Sequence, residues 1–276
     1  MNHLKTFTTL SVLALSVSVS STVYAQNVDN TSSSKDTAYI GLAGVTTPEY
    51  LGSDDDELLV LPYLEVSDFK GFDFFGTVLS YRLIEAGTGQ GIGKWSLRAG
   101  PRVAFQRGRD SDDSPTLTGL EDIDSSLPIG AYVRSTFGPV GFRLDAGQDV
   151  IGGHDGFFLD TSIGTAYNAE KFGIQPSATL SWGDSNYNES FFGITEEQSA
   201  LSNLEAFDIG SGFNSYSFNV IAWYRIHDDY LLGAFASYKE FFDDAEDSPI
   251  IQAPDGSTSG LFAGISLTRK IDLSKF

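Results

Sequence analysis

Trp95-Ser96-Leu97-Arg98-Ala99-Gly100-Pro101-Arg102-Val103-Ala104-Phe105-Gln106 decides the fold. Trp95, Leu97, Ala99, Pro101, Val103 and Phe105 fall on one face of an extended chain. Ser96, Arg98, Gly100, Arg102 and Gln106 fall on the other. Strand side chains alternate between faces, so this segment meets oil on one side and water on the other. A soluble sandwich could give that pattern once or twice. Here it recurs along the whole chain with charge on the polar face, which predicts an antiparallel transmembrane β-barrel in an outer membrane.

The start of the chain agrees with export. Residues 1–25 read as a signal peptide: Lys5 near the start, a short apolar core from Leu10 to Val19, and Val23-Tyr24-Ala25 as a cleavage site. The core is too short to span a bilayer, and no run of eighteen apolar residues follows. Residues 26–37 are polar and Ser-rich, and are expected to be a disordered leader to a barrel over 38–276. Cysteine is absent, so no disulfide framework is expected.

Lys5 leaves with the signal, so 17 basic residues become 16 and the net charge moves from −20 to −21. That balance argues against nucleic acid or an anionic membrane surface as partner. The chain has 21 Phe, 12 Tyr and 29 Gly, which would supply aromatic girdles and close strand packing. A mean hydropathy of −0.09 still suits a barrel, because only alternate strand residues face lipid.

Eleven candidate strands are legible: Ala38–Val45, Leu58–Val66, Gly71–Leu83, Trp95–Gln106, Leu127–Phe137, Val140–Asp149, Gly156–Tyr167, Phe172–Trp182, Tyr216–Arg225, Tyr230–Lys239 and Gly260–Arg269. Single-chain bacterial barrels use even numbers. The tight turns Gly138-Pro139, Asn168–Lys171 and His227–Asp229 share one side; segments 107–126, 183–215 and 240–259 share the other. Short turns are normally periplasmic, and that arrangement would put residue 38 outside the cell. The miscount is therefore placed between residues 38 and 95, and ten or twelve strands are expected. Pro176 removes a ladder donor, and a bulge is expected there. Thr195-Glu196-Glu197-Gln198 fits a capping box, so one short loop helix is expected, with Ala200, Leu201 and Leu204 as its apolar stripe, packed over the rim.

The inward face is expected to carry Asp73, Arg98, Arg102, Arg134, Arg143, Asp145, Asp160, Gln175 and Lys239. Buried charges need partners, so Arg–carboxylate pairs should fill or line the lumen. The alternatives are a charged pore and a salt-bridged plug, and the small barrel size favours the plug. Catalytic motifs are absent: no G-x-S-x-G elbow occurs, and His154 and His227 sit in turns without a second half of a dyad. The acidic runs Asp54–Glu57, Asp110–Asp113 and Asp243–Asp247 lack the spaced calcium-loop pattern, and no zinc pattern or P-loop occurs. No cofactor or metal is expected. Solvated loop charge, able to hold divalent cations against lipopolysaccharide phosphates, is the reading of those runs.

Several motifs occur in order: Pro48-Glu49-Tyr50-Leu51-Gly52-Ser53, Leu117-Thr118-Gly119-Leu120-Glu121-Asp122-Ile123-Asp124, Gly153-His154-Asp155-Gly156, Ser181-Trp182-Gly183-Asp184-Ser185-Asn186-Tyr187-Asn188, Phe191-Phe192-Gly193-Ile194 and Asp247-Ser248-Pro249-Ile250. Together they resemble the MltA-interacting protein (MipA/OmpV) family over nearly the whole mature chain. The resemblance implies an outer-membrane β-barrel of a Gram-negative envelope, in contact with outer-membrane lipid and lipopolysaccharide. It further implies a scaffold linking a murein lytic transglycosylase to a murein synthase. Other relatives are associated with osmotic response, adhesion or antibiotic susceptibility, and no catalytic residues carry over. One departure stands at the end. Relatives tend to close on a strand ending in an aromatic, whereas here Asp272 to Phe276 reads as an added tail whose alternate positions Ser274, Asp272 and Lys270 are polar.

Overall fold

Alternation of side chains along each strand is the rule from which the wall is built. The computed structural model describes residues 35–276 except 90; the signal peptide and most of the leader expected from the sequence lie outside them. Fourteen strand segments are present: β1 Thr37–Pro48, β2 Asp56–Phe69, β3 Phe72–Phe75, β4 Val78–Tyr81, β5 Ile84–Gly87, β6 Trp95–Ala104, β7 Pro128–Phe137, β8 Val140–Asp149, β9 Phe157–Thr165, β10 Tyr167–Asn168, β11 Phe172–Gly183, β12 Gly212–His227, β13 Tyr230–Phe241 and β14 Ser259–Asp272. Segments β4 and β5 both pair with β6, and β9 and β10 both pair with β11, so the segments make a closed ring of twelve antiparallel strands. β14 pairs with β1 from Thr37↔Asp272 to Thr46↔Ala263 and seals it.

The miscount is now located. Gly71–Leu83, expected as one strand, is the hairpin β3–β4, turned at Gly76-Thr77 with Gly76 at φ 56°. A two-residue turn beginning with Gly is a hairpin signal, but the apolar alternation runs through it without a break. With this strand added, Thr37 and Asp272 share the end that carries the turns at Gly138, Lys171 and Asp228. The long loops gather at the opposite end. Pro176 is a correction of a different kind. The β11–β12 register is continuous through Pro176↔Val220, and the irregularity sits at Ser181/Trp182 instead. On the other side of β11, Pro176 falls where pairing with the neighbouring strand lapses between β9 and β10, at an unchanged register, so the missing N–H interrupts the ladder there without a bulge.

Outward residues form the lipid belt: Leu42, Leu58, Val60, Ile129, Ile163, Phe218, Ile265 and Leu267 are all exposed. Aromatics collect where the belt meets the turn end, in pairs such as Phe137–Phe142, Tyr167–Phe172 and Phe72–Tyr81. Among the described residues no helix is long and apolar enough to cross a membrane. The loop end holds two short α-helices rather than the one expected, α1 Ser185–Phe192 and α2 Glu196–Leu201. α2 carries the expected capping box between Thr195 and Gln198. α1, not expected from the sequence, starts where the Asp184 side chain accepts from the Tyr187 N–H. Leu201 does not pack: it is 69% exposed, while Leu204 is partly buried against the cap. The tail leaves the sheet at Asp272 and is tied back by Leu273 N–H donating to the Asp36 carbonyl, with Phe276 exposed.

Candidate functional site: the lumen and its loop cap

Register decides which inward charges meet. On β6, β7 and β8 the inward rows are Arg98↔Arg134↔Arg143, Gly100↔Tyr132↔Asp145 and Arg102↔Gly130↔Gly147. Asp145, 1% exposed, is the hub. It takes both Nε and Nη2 of Arg143, the latter at 2.8 Å, and Arg102 Nη1 lies 3.3 Å from the same carboxylate. Arg134 stacks on the Tyr132 ring at 4.8 Å and approaches Asp73 of β3 at 3.9 Å. Arg98 is drawn toward the turn end instead, where Glu85 binds it at 2.9 Å. Glu85 also holds Arg82, which binds Asp68 at 2.7 Å.

The opposite wall is neutral. Ser162 and Thr179 hydroxyls are 2.9 Å apart, Asn219 Nδ2 donates to Thr179 and Ser217, and Ser237 Oγ donates to Asn219 Oδ1 at 2.6 Å. Gln175 is buried on the same face. Toward the loop end Asp160 accepts from Ser181 Oγ at 2.7 Å. Asp160 and Lys239 line a small cavity with Phe158, Tyr187, Phe192 and Phe241. The residues expected to face inward therefore divide into a fused Arg102–Asp145–Arg143 cluster, a looser Arg134–Asp73 contact, an Asp160–Lys239 cavity, and Arg98 at the rim. Glu65, buried and hydrogen-bonded by Tyr63 and Ser67 hydroxyls, was missed, although Leu59-Leu61-Tyr63-Glu65 against Leu58-Val60-Pro62-Leu64 carried the alternation that finds it.

The loops fold over this lumen as a cap with its own apolar core. Tyr50, Leu117, Leu120, Ile194 and Ile250 form one cluster. Phe192, Ile209, Phe241, Ala245 and Ile251 form a second, and Phe207 packs against both. Every member of the first cluster, and Phe192 of the second, comes from the ordered motifs read in the sequence, so segments far apart in the chain meet in one place. Polar ties join them. Asp255 accepts from the hydroxyls of Ser114 and Thr116, and Tyr50 OH donates to the Asp255 carbonyl at 3.3 Å. Burial pushes the Asp255 carboxyl up, but those hydroxyls outweigh it and hold it below the usual range. Arg109 Nη1 donates to the Phe191 carbonyl at 3.2 Å, and burial brings this guanidinium down to about 10. Asp149 accepts five backbone N–H groups, from Leu127, Ile151, Gly153, His154 and Asp155. His154 Nδ1 accepts from the Gly156 N–H at 3.0 Å, so Nε2 carries the proton toward Gln106 Oε1 at 3.3 Å. Burial lowers its pKa from the ordinary 6.5. Both ring nitrogens of this histidine are thus engaged in fastening the cap. Among the described residues no group of three or more His, Asp or Glu side chains is placed to hold a metal.

Residues 40–271 match the model of the family described as MltA-interacting protein MipA. The MltA-interacting protein of Escherichia coli (strain K12) is 24% identical over 172 residues, 62% of this chain and 66% of that protein. Outer membrane protein OmpV of Vibrio cholerae is 23% identical over 187 residues, 67% and 70%. The outer membrane protein YiaT of Escherichia coli (strain K12) is 25% identical over 151 residues; the match spans 54% of this chain and 60% of that relative's length. Among solved structures, the outer membrane channel DcaP of Acinetobacter baumannii aligns over 85% of this chain and 96% of its own, with a TM-score of 0.37 and 10% identity. Its relatives by sequence are outer-membrane proteins, its strands close a lipid-belted barrel, and the family model covers almost all of that barrel: this outer-membrane chain belongs to the MltA-interacting protein MipA family.

Proposed function

We propose that this barrel is a non-enzymatic envelope scaffold whose rims hold murein-processing partners, a lytic transglycosylase and a murein synthase, at the outer membrane. The observation that carries this reading is the filled interior. Tyr132, Arg143 and Asp145 are each at most 6% exposed across the lumen, and two apolar clusters close the loop end. A barrel so packed has little room along its axis for solute, which leaves its rims and leader as the working surfaces. Family membership supports this class of partner, and the name of one relative records an interaction with MltA. The test is a pull-down from detergent-solubilised outer membrane, probed for murein enzymes. Co-recovery is expected, and recovery of neither enzyme would overturn the scaffold. The second reading, a narrow porin-like channel, is favoured by the Asp160–Lys239 cavity under the cap. Planar-bilayer conductance separates the two: a silent barrel is expected, and steps whose ion selectivity changes in Arg98→Gln or Arg102→Gln would replace the scaffold with a pore.

A further inference from the structure

The wall carries a notch. β3 and β4 are four residues each, and β3 reaches only as far up β2 as Glu65↔Phe75. From Asp56 to Leu64, β2 has no strand partner on the side away from β1 among the described residues. Glu49 N–H donates to the Asp55 carbonyl, so odd-numbered residues of β2 bond to β1 and even-numbered ones turn their backbone outward. Leu58, Val60 and Leu64 thus point N–H groups, and Pro62 only a carbonyl, into the notch. Proline at that position is the signature of an unpaired edge. The same residues are apolar and exposed on the lipid face, with Leu58 at 72% and Val60 at 71%, so the notch opens within the bilayer. Bare edges are not tolerated in hydrocarbon unless a polar partner reaches them.

Inside the barrel, unpartnered donors lie on the strands just across the hairpin. Arg102 Nε, Arg134 Nε and Tyr132 OH are all buried without a hydrogen-bond partner. Tyr132 and Arg134 are two apart on one face of β7; Arg102 opposes Gly130, the next inward position, and is two residues below the hairpin tip at Ala104↔Val78. Around them Arg98, Arg134 and Arg143 stand in register, with Glu85, Asp73 and Asp145 as their respective carboxylate partners. Arg102 and Arg143 share Asp145, and Arg134 meets Asp73 only at 3.9 Å, while Asp160 is taken up by Ser181 and Glu65 by Tyr63 and Ser67. Orphan donors on two guanidiniums and a phenol call for a hydrogen-bond-accepting anion. The notch makes the bilayer its source. The net acidity of the chain argued against an anionic membrane surface as partner, but that acidity is concentrated in the loops, while these guanidiniums are inside.

We propose that the notch above the β3–β4 hairpin admits an anionic phospholipid, whose phosphate is held by Arg102, Tyr132 and Arg134 while its acyl chains remain in the membrane beside Leu58 and Val60. The proposal is independent of whether the barrel is a scaffold or a channel. It is tested on the full-length mature protein in detergent by native mass spectrometry after incubation with phosphatidylglycerol, phosphatidylcholine or inorganic phosphate. Retention of phosphatidylglycerol over phosphatidylcholine is expected, falling about fivefold in Tyr132→Phe, which removes one hydroxyl and keeps the ring. A photoreactive acyl chain should label β2 in the wild type and lose that labelling in Arg102→Gln. Equal retention of the two lipids, or no effect of Tyr132→Phe in a protein shown folded by its gel mobility, overturns the site. Protection by inorganic phosphate with no lipid retained assigns the anion to the aqueous phase and overturns the lateral route.

Discussion

Replacing Asp145 by Asn should be among the most damaging single changes in the wall. Its carboxylate takes two nitrogens of Arg143 and lies 3.3 Å from Arg102, with all three side chains at most 9% exposed. An amide keeps the shape and removes the charge, leaving both guanidiniums beside Arg134, which opposes Arg143 in register. Breaking a buried pair by removing one partner costs about 3–5 kcal/mol, because the remaining charge stays buried. The comparison is Glu85→Gln at the turn end, where the partners Arg98 and Glu85 are 36% and 47% exposed. Water and salt screen that pair, and a loss under about 1 kcal/mol is expected. The assay is urea unfolding of the refolded barrel in detergent, followed by the fluorescence of its three tryptophans and by the gel-mobility shift of the folded form. Arg143→Met combined with Asp145→Leu should recover much of the loss, since the double change leaves one fewer unpaired charge. If Asp145→Asn costs no more than Glu85→Gln, the lumen is wet and open, and the argument for a packed plug fails.

Three further outcomes are expected. Leu117→Ala, at a fully buried position of the first cap cluster, should cost about 2–5 kcal/mol in the cap, read as faster proteolysis of the long loops with the barrel's gel mobility unchanged; equal protease resistance would refute an integrated cap. His154 has a folded-state pKa below its ordinary 6.5, so its neutral form is favoured in the fold, and cap stability is full above pH 6.5 and declines as pH falls through that value, levelling off below the folded pKa. The protection of the Gly156 amide against hydrogen exchange should follow that curve, and a flat profile to acid pH would show that the Gly156–His154 bond does not hold the turn. Gly119, at φ +92° with the Leu201 carbonyl 2.4 Å from where a Cβ would stand, should not accept Ala without displacing α2, measurable as lost protection of the α2 amides.

How much was legible follows from what alternation encodes. The stretch Trp95–Gln106 names its lipid face and its lumen face from sequence, because a strand's period of two is a local property. The same logic located the fault in the strand count without showing the hairpin at Gly76-Thr77, since a two-residue turn within a continuous apolar alternation leaves almost no trace. It foresaw α2 from its capping box and overlooked α1, whose stripe is too short to register. Inward residues could be named, but their pairing could not. Arg98, Arg102, Arg134 and Arg143 look alike along the chain, and only the register sends the first to Glu85, two to Asp145 and one toward Asp73.

By itself the sequence determined that this chain makes a lipid-facing barrel and which family it resembles, because hydropathy period, turn chemistry and ordered motifs are carried by neighbouring residues. The tertiary structure alone decided that the ring has twelve strands, that motifs up to two hundred positions apart converge on one cap, and that the wall is left unpaired along β2. Those outcomes depend on cross-strand register and on the length of one short hairpin, which are fixed by contacts between distant segments rather than by any local pattern.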